Sequence, residues 1–277
     1  MFLSRCILFT PANRPERFAK GKQTGADGIV IDLEDAISLA GKDEARDIAI
    51  NYFKGYQKDP DFVQCLRINS MKTPAGLKDV SALIDNNVRP DILVIPKTES
   101  PAELTMLAGL LPSEDMQYIA LIETAKGLRY AEDIALANKK VCGLVFGGAD
   151  LAADLGATME WEPLFAARSH IVRAAAAAGI AAIDVPYLHL KDPDDSGVLE
   201  ETRRVKALGF TSKFAIHPKH IKPILESFAP TSAEIERATR VVEAYDQAHG
   251  DACEIDGKMI DVPVYRSANR VLAIANK

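Results

Sequence analysis

Short apolar runs recur along the chain, spaced so that one helix fits between each pair. Eight of them read as strands: 6–11, 28–35, 64–69, 91–97, 118–123, 141–147, 181–185 and 212–217. Several are almost continuous, as in Ile92-Leu93-Val94-Ile95. That is the pattern of a strand covered on both faces, not of one that alternates between core and water. The segments between carry apolar residues at helical spacing. In 42–54 these are Ala45, Ile48, Ala49, Tyr52 and Phe53, and in 161–178 they are Leu164, Phe165, Ile171, Val172 and Ala175. Gly25, Gly179 and Gly209 stand just past expected helix ends, where a left-handed residue commonly closes the last turn.

Strands alternating with helices imply a parallel sheet, and a count of eight predicts a closed (β/α)8 TIM barrel. A doubly wound open sheet is the alternative. Helices are expected over 218–228 and 232–249, and a tail over 251–277 carries a turn at Asp256-Gly257 and a last helical piece over 267–275. The expected division is a catalytic barrel over 1–230 and a helical extension over 231–277, surplus to the barrel, that packs on a neighbouring subunit. No internal repeat and no linker interrupts this plan.

Composition narrows the class. The 277 residues suit one barrel with a short extension, and 48% hydrophobic against 26% charged residues is the balance of a folded globular chain. A net charge of −6 and a pI near 5.5 argue against nucleic acid as partner, while leaving room for a local basic patch that binds an anionic substrate. Cys6, Cys65 and Cys142 lie in apolar runs and Cys253 in the tail, with no C-x-x-C pair, so structural zinc and redox chemistry lack support. No apolar stretch reaches membrane-spanning length, and the run after Met1–Arg5 is too short for a signal-peptide core. A cytoplasmic enzyme is the expectation.

Polar residues gather where the strands end: Glu34-Asp35, Arg67-Ile68-Asn69, Lys97, Glu123, Gly147-Gly148-Ala149-Asp150, Asp184 and His217. In a barrel these ends share one rim, where catalytic groups from several strands meet. Glu123 and Asp150 fall on adjacent strands, so two hard oxygen ligands could hold one Mg²⁺ with water and substrate completing the shell. Two salt-bridged or solvated carboxylates would look the same. The glycines before Asp150 would let a ligand approach the N–H groups around Ala149 and Asp150. Arg67 suits a carboxylate or a thioester oxygen gaining charge, or else serves as structural partner to Glu34 or Asp35. After strand one, 11–20 places three cations at a helix N-terminus, either a phosphate cradle or a solvated face. His217 and His220 have a spacing that zinc sites use, but Pro218 lies between them and no cysteine is near.

The segments LFTPANRPERFAK, GADGIVIDLEDA, KDEAR, RIN, PKTES, IETAKG, FGGADLAADLG and AIHP, in this order, resemble the citrate lyase β-subunit-like and malyl-CoA lyase family of the HpcH/HpaI aldolase superfamily. DGKMIDVP extends the resemblance into the tail. The resemblance implies a Mg²⁺-dependent lyase that cleaves a 3-hydroxyacyl thioester, carried on CoA or an acyl carrier protein, into an acetyl-type thioester and a 2-oxo acid. It implies Glu123 and Asp150 as metal ligands, with Glu123, Gly148, Ala149 and Arg67 on the substrate. Glu34 and Asp35 would support metal-bound water or Arg67. Asn13, Arg17 and Lys20 would meet the CoA phosphates and adenine. Asp261 would reach a neighbouring subunit's site as acid/base, in a homo-oligomer expected to be a trimer. Thr10 stands where the family commonly has valine, and His220 where it commonly has glutamine. A 2-oxo acid aldolase acting without CoA, a malyl-CoA-type thioesterase and a silent thioester-binding protein are the competing readings.

Overall fold

A computed structural model describes residues 4–275. All eight strands are present and close into a parallel barrel in chain order: β1 Cys6–Pro11, β2 Gly28–Asp32, β3 Val63–Arg67, β4 Ile92–Ile95, β5 Gln117–Ile122, β6 Val141–Phe146, β7 Ala181–Asp184 and β8 Ser212–Ala215. β8 pairs back onto β1 through Ile7↔Phe214, which excludes the open sheet. Most strands stop short of their expected ends. The polar residues that follow, Glu34-Asp35 after β2 and Lys97 after β4, turn out into loops at the C-terminal rim.

Alternation along each strand decides what faces the barrel axis. Ile7, Val30, Cys65, Val94, Ile119, Leu121, Val145, Ile183 and Phe214 pack together as the interior, all buried. Two residues further along the same strand faces stand Asp32 after Val30, Arg67 after Cys65 and Glu123 after Leu121. The interior is thus apolar through its depth and charged at its C-terminal end.

Helices Lys42–Lys54 and Trp161–Ala178 match their expected ranges. Gly25, Gly179 and Gly209 close their turns at φ 81°, 69° and 111°. The segment after β1 differs from expectation. It breaks into a 3-10 turn Pro15–Arg17, a single turn Phe18–Gly21 and a second 3-10 turn Lys22–Thr24. With only one α-helical turn between two 3-10 turns, no regular helix dipole backs the cations there. Among the described residues, no helix is long and apolar enough to cross a membrane.

The chain forms two compact units, 1–225 and 226–277. The second contains helix Ser232–Gln247, a hairpin of Cys253–Ile255 and Lys258–Ile260, and helix Val262–Ala275. Asp256 and Gly257 both take positive φ, 51° and 75°, as a two-residue hairpin turn requires. Ala238, Val241, Tyr245, Ile260 and Ala268 form this unit's own core. Its last helix starts at Val262, earlier than the expected 267, because Asp261 caps it and Pro263 fits its first turn.

Candidate active site

A cavity of about 390 Å³ opens at the C-terminal rim of the barrel. Its walls are apolar (Phe9, Leu121, Val145, Phe146, Phe214, Ile216), and its charged residues are Asp32, Asp35, Arg67, Glu123 and Asp150. Charge concentrated in an otherwise apolar hollow is the usual composition of a small-molecule site.

Arg67 is held by three carboxylates. Its Nε and Nη2 donate in a fork to the two oxygens of Asp32, each at 2.7 Å, and Nη1 lies 3.0 Å from Glu34 Oε2 and 3.3 Å from Asp35 Oδ2. Asp32 and Arg67 are register partners across β2 and β3, which makes this pairing possible. The guanidinium also lies over the Phe9 ring, 4.8 Å from its centroid. Sequence reasoning anticipated Glu34 and Asp35 but missed Asp32, the bidentate partner. The fork uses two of the five guanidinium N–H groups, leaving three for the other carboxylates and a ligand.

Glu123 sits one residue beyond β5, 2% exposed, and its Oε1 accepts the backbone N–H of Lys97 at 2.7 Å. The β5–β6 ladder extends one step past its ends, with Gly147 N–H donating to Ile122 O at 3.0 Å. This lays Gly147 against Glu123 so closely that a Cβ there would fall 2.4 Å from the Glu123 Cβ. A Cβ on Gly148 would fall 2.7 Å from the Phe146 ring. The two glycines therefore make room for the site's own side chains, a different reason from the ligand approach expected of them. Gly148 begins helix Gly148–Leu155 and packs behind Phe146 rather than lining the cavity. The N–H groups of Gly148, Ala149 and Asp150 lie in that helix's first turn, ahead of its first internal bond from Leu151 to Gly147.

Lys97 joins these parts. Its ammonium donates to Glu34 Oε1 at 2.8 Å while its peptide N–H serves Glu123. The buried Lys42 ammonium donates to the carbonyls of Leu33 and Glu34 at 2.8 and 2.6 Å. The immediate neighbourhood thus holds the carboxylates Asp32, Glu34, Asp35, Glu123 and Asp150 against Arg67, Lys97 and Lys42. Fully ionised, that is an excess of two negative charges, the charge one divalent cation would neutralise. Burial, then the charges of Glu34 and Asp150, push the Glu123 carboxyl up to about 8. Burial likewise raises Glu34, against the pull of Arg67 and Lys97. Among the described residues, no three His, Cys, Asp or Glu side chains converge to enclose an ion. A cation here would rest on two carboxylates and leave positions open for substrate oxygens, which is how Mg²⁺ is commonly bound in enzymes.

A pH test follows. Between the ordinary carboxylate range and about 8, the folded protein keeps a proton on Glu123 that the unfolded chain has released. The folded state binds more protons there, so this group's contribution to stability declines as pH rises through that window. In EDTA, the Tm of native protein should fall relative to Glu123→Gln between about pH 5 and pH 8. Parallel Tm profiles would show that Glu123 ionises normally.

Other rim residues go elsewhere. Asn69 donates to Asp79, which also receives Arg46. Asp184 was expected on the rim, but Ile183 takes the inward position on β7, so Asp184 points into the helix layer and binds Lys213. His217 is exposed and accepts the Lys219 N–H at 3.1 Å. Asn13, Arg17 and Lys20 are exposed and do not line the cavity. In the second unit, Asp261 Oδ1 accepts the Val264 N–H at 3.2 Å, a helix cap. Cys6, Cys65 and Cys142 are buried and unbridged, as expected.

Comparison with known proteins supplies an independent line. The sequence profile described as HpcH/HpaI aldolase/citrate lyase matches residues 5–218. The citrate lyase subunit beta of Leuconostoc mesenteroides subsp. cremoris is 32% identical, covering 99% of this chain and 94% of its own. A (3S)-malyl-CoA thioesterase of Cereibacter sphaeroides is also 32% identical, over 98% of this chain and 94% of its own. Among solved structures, the protein CitE of Mycobacterium tuberculosis, in complex with magnesium, acetoacetate and coenzyme A, superposes with a TM-score of 0.83 at 34% identity, over 99% of each chain.

Proposed function

The chain belongs to the HpcH/HpaI aldolase/citrate lyase family, and on that premise we propose that it is a Mg²⁺-dependent carbon–carbon lyase cleaving a 3-hydroxyacyl thioester into an acetyl-type thioester and a 2-oxo acid. The observation that carries this reading is the meeting of Glu123, Asp150 and Arg67 in one cavity. Magnesium and coenzyme A in the related CitE structure support it. The malyl, citramalyl and citryl thioesters of CoA or an acyl carrier protein fit this chemistry.

Glu123 and Asp150 would hold the ion, whose Lewis acidity would polarise the oxygens of the 2-oxo acid half. The peptide N–H groups of Ala149 and its neighbours, at a helix N-terminus, would receive that half's carboxylate. In cleavage the 3-hydroxyl gives up its proton and becomes the carbonyl of the 2-oxo acid. The electron pair of the breaking C–C bond moves onto the thioester as an enolate, and one proton returned to the enolate carbon balances the step. Arg67, immobilised by Asp32, would face that developing charge without having to reorganise. Glu34 and Asp35 keep Arg67 in place. Asn13, Arg17 and Lys20 would meet the phosphates of CoA through their side chains alone.

The test is a panel of 3-hydroxyacyl thioesters assayed with Mg²⁺ for release of glyoxylate, pyruvate or oxaloacetate. Glu123→Ala and Asp150→Ala should abolish release, as should EDTA in the native protein. Full activity in EDTA would refute the metal's role. The thioesterase relative makes hydrolysis the second reading, and free hydroxy acid without any 2-oxo acid would establish it in place of cleavage.

Asp261 is proposed as the acid that protonates the enolate carbon, reaching the site of a neighbouring subunit in a homotrimer. Capping engages its Oδ1, and pure capping is the competing role. Mixing Asp261→Ala with Glu123→Ala subunits, each inactive alone, and allowing exchange should restore part of the activity. Verified mixed oligomers that stay inactive would leave Asp261 as a helix cap.

A further inference from the structure

Lys97 holds a backbone conformation that its side chain disfavours. Its φ is +50°, in the left-handed region, where a Cβ crowds the neighbouring carbonyl and glycine or asparagine is the usual occupant. The surrounding contacts over-determine this geometry. Thr98 N–H donates to Leu121 O at 3.2 Å, Thr98 Oγ1 to Ile95 O at 3.0 Å, and the Lys72 ammonium to the Lys97 carbonyl at 3.0 Å. Gly127 lies so close that a Cβ on it would stand 2.5 Å from Thr98 O. Strain fixed this firmly beside a functional cavity implies that the conformation is used.

Two groups benefit from it. The left-handed turn aims the Lys97 N–H at Glu123 Oε1, at 2.7 Å, and the same residue's ammonium reaches Glu34 Oε1, at 2.8 Å. Glu34 in turn lies 3.0 Å from Arg67 Nη1. Glycine would satisfy the backbone without strain and keep the N–H, but it has no ammonium. The choice of lysine is explained by the contact to Glu34.

We propose that Lys97 is a positioning residue that registers the metal-binding arm against the arginine arm: its strained peptide orients Glu123 and its ammonium keeps Glu34 on Arg67. The inference rests on the lyase reading for its kinetic readout, and its other readouts stand apart from it. The Glu123 clamp is main chain, so side-chain variants retain it and lose only the hold on Glu34. Arg67 then loses a fixed neighbour, while the cation site stays intact.

The test uses Lys97→Met, which keeps the backbone strain, and Lys97→Gly, which removes it. The unloaded proteins are titrated with Mn²⁺ alone, followed by its paramagnetic resonance, and their Tm is measured. Both variants should bind Mn²⁺ within about threefold of native or more tightly, since a nearby positive charge has gone. Lys97→Gly should melt higher than Lys97→Met. In turnover, both should lose about tenfold or more in kcat with little change in the thioester KM, the pattern of an interaction that matters in the transition state. Native-like kcat in Lys97→Met would overturn the proposal, as would Mn²⁺ affinity falling together with Tm, which marks a merely structural lysine. Native protein that cleaves no thioester would refute the lyase reading instead. Lys97 is then judged by pyruvate binding to the Mn²⁺-loaded proteins: about tenfold weaker binding in Lys97→Met sustains the proposal and unchanged binding overturns it.

Discussion

Arg67→Lys should lower turnover by about 100-fold to 1,000-fold, the range seen when one preorganised donor to a developing oxyanion is removed. Charge is conserved in this substitution, so the loss comes from geometry. The guanidinium fork matches both oxygens of Asp32 at 2.7 Å while Nη1 meets Glu34 and Asp35. An ammonium is a compact point charge that cannot reproduce the planar fork. It would settle on one or two of these carboxylates, away from the substrate. Asp32, 2% exposed, would lose half of its bidentate partner, so some fall in Tm should accompany the kinetic loss. The two effects separate by magnitude: circular dichroism should show an intact fold at the assay temperature. Near-native turnover by the folded variant would reduce Arg67 to a structural role.

The barrel was legible because eight apolar runs recur with room for a helical segment between them, and so was the convergence of Glu123, Asp150 and Arg67 on one rim. What stayed hidden depends on side-chain parity within nearly continuous apolar strands. Where both faces are buried, alternation of polar and apolar residues no longer marks the inside. Asp184 was therefore placed on the rim, although Ala181 and Ile183 take the interior positions and send Asp184 outward. The same parity counted from Val30 would have pointed to Asp32, which the conspicuous Glu34-Asp35 pair overshadowed. Lys97 is legible in sequence as a rim cation, but not as a backbone clamp, because no residue pattern marks its positive φ. The glycines before Asp150 read in sequence as room for a ligand, whereas in the structure they make room for Glu123 and Phe146.

The largest stability effect should come from that outward-facing pair. Lys213 and Asp184 are both fully buried, and the Lys213 ammonium donates to Asp184, to Val185 O at 2.7 Å and to Glu201 at 2.7 Å. Burial disfavours the ammonium, yet Asp184 and Glu201 outweigh it and raise the Lys213 pKa above its ordinary value. Lys213→Met fills similar volume but leaves the buried Asp184 carboxyl without its ammonium partner, with Arg168 Nε at 3.7 Å. Breaking one side of a buried pair costs about 3–5 kcal/mol. In a unit of this size that lowers Tm by roughly 10 °C or more. Adding Asp184→Asn removes the stranded carboxyl while keeping an acceptor for Arg168, so the double variant should recover much of the loss. Neither residue lines the cavity, so folded Lys213→Met should keep the native dependence on divalent metal. Thermal melts of the three proteins decide the matter: a single variant within about 1 kcal/mol of native, or a double variant less stable than the single, would mean that the pair is not what holds β7 and β8 to their helices.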